Sequence, residues 1–314
     1  MHKPITITLL SLASVVGILA LGLVTTTTVN AVASASEDAE LETYGHLVPV
    51  DGKNMNVVVS GSESDGADTI VLLPGLGTPS PALDFAPLVH RLDDDFRVVV
   101  VEPFGYGLSD QTDAPRTSAA IAGEVHEALQ ALGIDRYVLA GHSIAGIYGL
   151  EYLSRFRDEV TAFVGIDTSV PGQPGSEEPT PVDGLDALKQ LGILRVLSSV
   201  SPGAYDGLAD YDDAARRQLA ILSNRNTMTP TLLDEIARTP ENFAAARSQQ
   251  FPRDLPVLLF VAGDDPEVAG WVQLHETQLA QVDRGELVQL DGGHYLHQTL
   301  SAEIAAKTTE FLSR

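Results

Sequence analysis

A chain of 314 residues is long enough to bury one α/β core with an insertion, or two modest domains. Its 43 acidic against 19 basic residues give a formal net charge of −24 with no basic run, which argues against nucleic acid or an anionic membrane surface bound through phosphate contacts. There is no cysteine, so disulfides, thiolate metal sites and cysteine nucleophiles are excluded, and covalent catalysis must use another side chain.

From Pro4 to Val24 the chain is uncharged and mostly apolar, preceded by Lys3 and followed by Thr25 to Thr28 and the small-residue triplets Ala31-Val32-Ala33 and Ala33-Ser34-Ala35. Residues 1–35 read as an export signal cleaved near Ala33 or Ala35 or, because the stretch nearly spans a bilayer, as an uncleaved N-terminal membrane anchor. Either way the remainder is expected outside the cytoplasmic membrane, secreted or held at its outer face. Residues 36–43 form a polar, acidic linker. Strand-like apolar runs then occupy residues 47–50, 55–59, 70–73, 98–101, 137–140, 162–166, 257–262 and 286–290. The clearest helix between them covers 118–132, with Ile121, Val125, Ala128, Leu129 and Leu132 on one face, Thr117 as cap and Gly133 just past the end. This alternation implies a mostly parallel sheet covered on both faces.

Between Pro171 and Pro252 the rhythm changes to proline-, glycine- and acid-rich loops with amphipathic pieces at 185–197, 212–222 and 231–237. We read residues 171–252 as a helical cap over the carboxyl ends of the strands, inserted between a first core part, 44–170, and a second, 253–314.

The hexapeptide Gly141-His142-Ser143-Ile144-Ala145-Gly146 lies between a strand-like run and a helix-like run. A serine at so tight a corner is lifted above the sheet with backbone N–H groups aimed at the same spot. A base and an orienting acid occur at the same rim. Asp265 ends the run through Val261-Ala262-Gly263-Asp264, and His294 follows the next strand inside Asp291-Gly292-Gly293-His294. Asp264 and Asp167, the latter at the end of the sixth run, are rival acids. His297 is a rival base without the preceding glycines, His142 lines the pocket or packs, and His126 reads as a solvated surface residue.

From about Tyr44 to Arg314 the chain resembles a serine-type α/β-hydrolase with a helical cap. Leu73-Pro74-Gly75-Leu76-Gly77 stands at that family's first oxyanion loop, and Pro103-Phe104-Gly105-Tyr106-Gly107-Leu108-Ser109-Asp110 matches its Gly-x-Gly-x-Ser loop. The order nucleophile, acid, histidine is also the family's own. The resemblance implies an α/β-hydrolase fold with the cap inserted between strands six and seven. It implies Ser143 as nucleophile, His294 as general base and then acid, and Asp265 as the carboxylate that fixes the imidazole tautomer. It implies an oxyanion hole from the backbone N–H groups of Leu76 and Ile144. Two positions depart from the family pattern: Ala145 replaces the usual glycine, and Pro74 replaces a histidine that often braces the oxyanion loop.

The implied activity is cofactor-free hydrolysis of a small-molecule acyl substrate, a carboxylic ester first. Thioesterase, aminopeptidase, carbon–carbon hydrolase and cofactor-free haloperoxidase chemistry share the framework. A serine at 143 argues against the dehalogenase and epoxide-hydrolase branches, which need a carboxylate nucleophile. A non-catalytic binding or surface protein on the same fold is the alternative from another class, and the intact Ser, Asp and His positions count against it.

Overall fold

Runs rich in valine, isoleucine and leucine assemble one eight-stranded sheet in the computed structural model, which describes residues 3–61, 68–201, 203–263 and 268–314, with side chains from Ser14 onward. The strands are β1 (His46–Val50), β2 (Lys53–Gly61), β3 (Thr69–Leu73), β4 (Arg97–Glu102), β5 (Tyr137–His142), β6 (Val160–Ile166), β7 (Val257–Val261) and β8 (Gly285–Gln289). Their order is β1-β2-β4-β3-β5-β6-β7-β8. β1 and β2 pair antiparallel, as do β2 and β4, and every later pairing is parallel. Each expected strand-like run is a strand. The inner strands β5 and β7 are buried along their whole length, as parallel strands covered on both faces must be, whereas β1 at the edge alternates.

The helices, in chain order, are α1 (Lys3–Glu40), α2 (Pro81–Asp84), α3 (Ala86–Leu92), α4 (Ser118–Ala131), α5 (Ala145–Phe156), α6 (Leu185–Gln190), α7 (Ile193–Ser199), α8 (Asp213–Asn226), α9 (Pro230–Ala246), α10 (Trp271–Leu279), α11 (Leu296–Thr299) and α12 (Ser301–Leu312). One face of the sheet packs on α4 and α5 through Val125, Leu129, Ile147 and Leu150; the other packs on α3 and α12 through Leu88, Leu92, Ile304 and Phe311. The Thr117 side chain caps α4 by accepting the Ala120 N–H at 3.2 Å.

Helices α6 to α9 lie between β6 and β7 in the chain, where the helical insertion is expected. Two of them depart from the sequence pattern. The expected helix over 185–197 is broken at Gly192, whose φ is +73°, because the chain there passes so close to α1 that a Cβ would sit 2.5 Å from the Thr26 carbonyl oxygen. The expected helix over 231–237 instead runs through Pro240 to Ala246. Tertiary bonds beyond the proline hold that last part: Asn242 accepts the Ser118 N–H at 2.8 Å and donates to the Arg116 carbonyl at 3.1 Å. At the N-terminus, part of the expected linker, residues 36–40, continues α1. Glu37 and Glu40 hold it there through ion pairs to Arg195 and Arg217.

Candidate active site

Strands β5 and β6 end in step, His142 opposite Ile166, so Ser143 and Asp167 are the first residues beyond two neighbouring strand ends. Both adopt left-handed backbone, with φ of +56° and +45°. A non-glycine residue there carries about 1–3 kcal/mol of strain and persists only where its surroundings enforce it. The enforcement is visible. Ser143 N–H donates to the Ile166 carbonyl at 3.3 Å, the Ser143 carbonyl accepts from Gly146 and Ser169 at 3.0 and 2.8 Å, and Asp167 N–H donates to the Phe260 carbonyl at 2.8 Å. The motif's glycines are contact residues: a Cβ on Gly141 would sit 2.5 Å from the Ala145 Cβ, and one on Gly146 would sit 2.4 Å from the Ser169 carbonyl oxygen. The departure at Ala145 is thus accommodated by the bare face of Gly141.

The loop after β8 carries His294 to this corner, with Nε2 3.0 Å from Ser143 Oγ and Nδ1 2.6 Å from Asp167 Oδ2. Asp167 is fully buried, and its Oδ1 accepts the Trp271 indole N–H at 2.7 Å and the Ala262 N–H at 2.9 Å. Burial alone would raise its pKa, but the hydrogen bonds from His294, Trp271 and Ala262 outweigh it and hold the carboxyl below its ordinary value. An ionised carboxylate only accepts, so Nδ1 carries the imidazole proton and the Nε2 lone pair faces the serine hydroxyl.

Asp265, expected to orient the imidazole, lies outside the described residues, as does its rival Asp264. The carboxylate bound to Nδ1 is Asp167. The strand register explains this, because a residue one place past β6 lies directly beside one that is one place past β5.

The oxyanion loop lies against the same corner. A Cβ on Gly75 would approach the Ser143 Cβ to 3.2 Å and His142 Nδ1 to 2.7 Å, so Leu76 follows a residue in contact with the serine that Ile144 follows. The brace that Pro74 does not provide comes from elsewhere. Gly77 N–H donates to the Tyr106 hydroxyl at 3.2 Å, which donates to Glu235 Oε1 at 3.0 Å, and Tyr148 donates to the same oxygen at 2.7 Å. Glu235 comes from α9, so the insertion helps hold the loop. Burial raises its carboxyl above the usual range, opposed by the Arg116 charge and the two tyrosine hydroxyls.

The remaining histidines have other partners. His142 is buried and donates from Nε2 to the His294 carbonyl at 3.0 Å; burial and then the His297 and His294 imidazoles push its pKa well down, so it is neutral. His297 is buried with its Nε2 2.7 Å from Asp84 Oδ2 and its ring 4.6 Å from that of His142. His126, expected on a solvated surface, is half-buried, stacked on Phe156 at 3.8 Å and 2.9 Å from Glu159. A cavity of about 530 Å³ opens between the rim and the insertion, lined among others by Gly77, Thr78, Tyr205, Leu219, Ser223 and Tyr295, the last adjacent to His294. Among the described residues no group of histidine and carboxylate side chains is arranged to hold a metal ion.

The sequence profile of the Alpha/beta hydrolase family matches residues 70–307. The protein YbdG of Bacillus subtilis (strain 168) is 25% identical over 294 residues, 88% of this chain and 88% of that one. Among solved structures, the enol-lactonase from Burkholderia xenovorans LB400 superposes with a TM-score of 0.61 at 21% identity over 86% of this chain and 100% of its own. A membrane phospholipase A superposes with a TM-score of 0.62 at 19% identity over 100% of this chain and 98% of its own. At such identities the two structures establish the fold alone. The profile match runs from Ile70 in β3 to Lys307 in α12, and on that span the chain belongs to the alpha/beta hydrolase family, as an enzyme of that hydrolase class.

Proposed function

We propose that the protein is a serine hydrolase that cleaves a carboxylic ester through an acyl-enzyme on Ser143. The observation that carries this reading is the relay of 3.0 Å from Ser143 Oγ to His294 Nε2 and 2.6 Å from His294 Nδ1 to Asp167. Ser143 Oγ attacks the ester carbonyl carbon while its proton passes to Nε2, and Asp167 stabilises the imidazolium. The backbone N–H groups of Leu76 and Ile144 meet the charge developing on the carbonyl oxygen, worth a few kcal/mol per donor. Collapse breaks the carbon–oxygen bond, and His294 returns the proton to the departing alcohol. Water then attacks the acyl-serine, gives a proton to His294, and releases the acid with Ser143 restored, so that ester and water become acid and alcohol. The reading needs no cofactor.

The same reading makes α1 an uncleaved anchor. Its apolar part is the one helix among the described residues long and apolar enough to cross a membrane, and residues 14–25 are exposed on every side. Lys3 ahead of the span, with no Lys or Arg in the 28 residues from Thr25 to Gly52 behind it, favours an orientation with the enzyme on the outer face.

The test is a fluorophosphonate probe followed by a panel of p-nitrophenyl esters. The probe is expected on Ser143, and Ser143→Ala is expected to lower kcat by about 10⁶-fold while leaving the fold intact. Full turnover in the alanine variant removes the serine from the mechanism.

A further inference from the structure

Asp84 ends α2 and is fully buried. The helix beneath it is a firm base, because Ser80 caps α2 by accepting the Leu83 N–H at 3.2 Å and donates to Glu102 Oε1 at 2.9 Å. A carboxyl group without solvent needs hydrogen-bond partners. Asp84 has them from two directions. From the insertion, the Tyr205 hydroxyl donates to Asp84 Oδ1 at 2.9 Å and the Tyr211 hydroxyl donates to the Asp84 carbonyl at 2.5 Å. From α11, Gln298 Nε2 donates to Oδ1 at 2.6 Å, and His297 Nε2 lies 2.7 Å from Oδ2. Burial, and then the Asp84 charge, raise the Tyr205 phenol far above its ordinary range, so the hydroxyl keeps its proton and remains a donor.

These bonds reach His294 by two routes. Helix α11 begins two residues after His294, so fixing His297 and Gln298 fixes the end of the loop that carries the imidazole. The second route runs through His142. Its ring lies 4.6 Å from that of His297 and 4.6 Å from that of His294, and its Nε2 donates to the His294 carbonyl at 3.0 Å. The buried Nδ1 atoms of His142 and His297 have no hydrogen-bond partner among the described residues, so each ring is held by its Nε2 bond and by packing. Releasing His297 therefore loosens the ring that backs His142. At the other end of the network, Tyr205, Tyr295 and Gln298 line the cavity of about 530 Å³. The cavity wall is thus bonded to the same carboxyl group that secures the histidine loop.

We propose that Asp84 is a positioning residue, tying Tyr205 of the insertion to the loop that carries His294, so that the docked insertion helps hold the imidazole against Ser143. The consequence for turnover rests on the hydrolase reading above; the placement of the imidazole does not. A reacting group displaced by about 1 Å loses on the order of 10² in rate, so a residue that never touches substrate can act this way.

Tyr205→Phe removes one hydroxyl and leaves the ring in the cavity wall. Asp84→Asn keeps the shape of the side chain but replaces the oxygen facing His297 with an amide nitrogen. Parent and variants are titrated to completion with the fluorophosphonate, and kcat and KM for a p-nitrophenyl ester are taken per titrated site, so that unfolded protein does not count. We expect kcat to fall about 10²-fold in Asp84→Asn and about ten-fold in Tyr205→Phe, with KM within about two-fold of the parent. A raised KM with unchanged kcat in Tyr205→Phe makes the tyrosine a wall residue only and overturns the proposal. In parallel, proton NMR follows the His294 Nδ1 proton, identified as the low-field resonance lost in Asp167→Asn. It is expected to shift or broaden in both variants, and an unmoved resonance in both overturns the proposal. If Asp84→Asn does not fold, Tyr205→Phe decides by the same two readouts. A parent chain that never takes the probe sinks the hydrolase reading, and the resonance then decides the positioning role by itself.

Discussion

Asp167 owes its charge to its neighbours. Buried without them it would be held neutral, and a neutral carboxyl has no reason to keep the proton on His294 Nδ1. Three donors, the imidazole, the Trp271 indole and the Ala262 amide, reverse that tendency. Because the folded-state pKa is depressed, the stabilisation is fully present above the ordinary carboxylate value near 4 and is lost as the pH falls through the lower folded value. Urea unfolding of the parent and of Asp167→Asn at pH steps from 7 to 3 is therefore expected to show a stability difference that shrinks below about pH 4. Parallel pH profiles contradict the ionised, hydrogen-bonded carboxylate. The sequence made Ser143 and His294 legible because each stands in a glycine-marked corner just past an apolar run. It made Asp167 much less so, since Asp167, Asp264 and Asp265 all follow strand-like runs at the same rim and composition does not rank them. The deciding fact is lateral: His142 pairs with Ile166, and pairing register between distant strands is not written in either strand alone.

Among the elements, α9 does more than cover the sheet. Its Glu235 sets the Tyr106 hydroxyl that receives the Gly77 N–H, one residue from the Leu76 donor proposed for the oxyanion. Tyr106→Phe is expected to lower kcat by about ten-fold with little change in KM, a fraction of the 10²–10³ lost when an oxyanion donor is removed outright. Steady-state kinetics on a p-nitrophenyl ester read this directly, and an unaltered kcat removes the brace from the account. The strands and α4 were legible from apolar runs and caps because burial on a sheet imposes a pattern on every residue. The insertion was less so. Pro240 predicts a helix end that bonds from Asn242 override, and Gly192 breaks a periodic run for the sake of a contact with a helix more than 150 residues away in sequence.

At the scale of the whole molecule, α1 and the insertion behave as one structure. Arg195 satisfies three side chains of α1 at once, which ties the apolar span to the helices that line the cavity. The apolar stretch is plain in the sequence; the uncleaved state proposed for it is not, because small-residue triplets serve equally as cleavage sites and as a close-packing face. Mass analysis of the chain recovered from membranes is expected to find residues 4–40 intact. A mature terminus after Ala33 or Ala35 contradicts the anchor.

The central claim is the relay from Ser143 through His294 to Asp167, and kcat for Asp167→Asn beside Asp265→Asn tests it most directly. The account predicts a fall of about 10⁴-fold for the first, as the imidazole is left in the wrong tautomer, and a far smaller change for the second. The opposite ranking, with Asp265→Asn the more damaging, contradicts it.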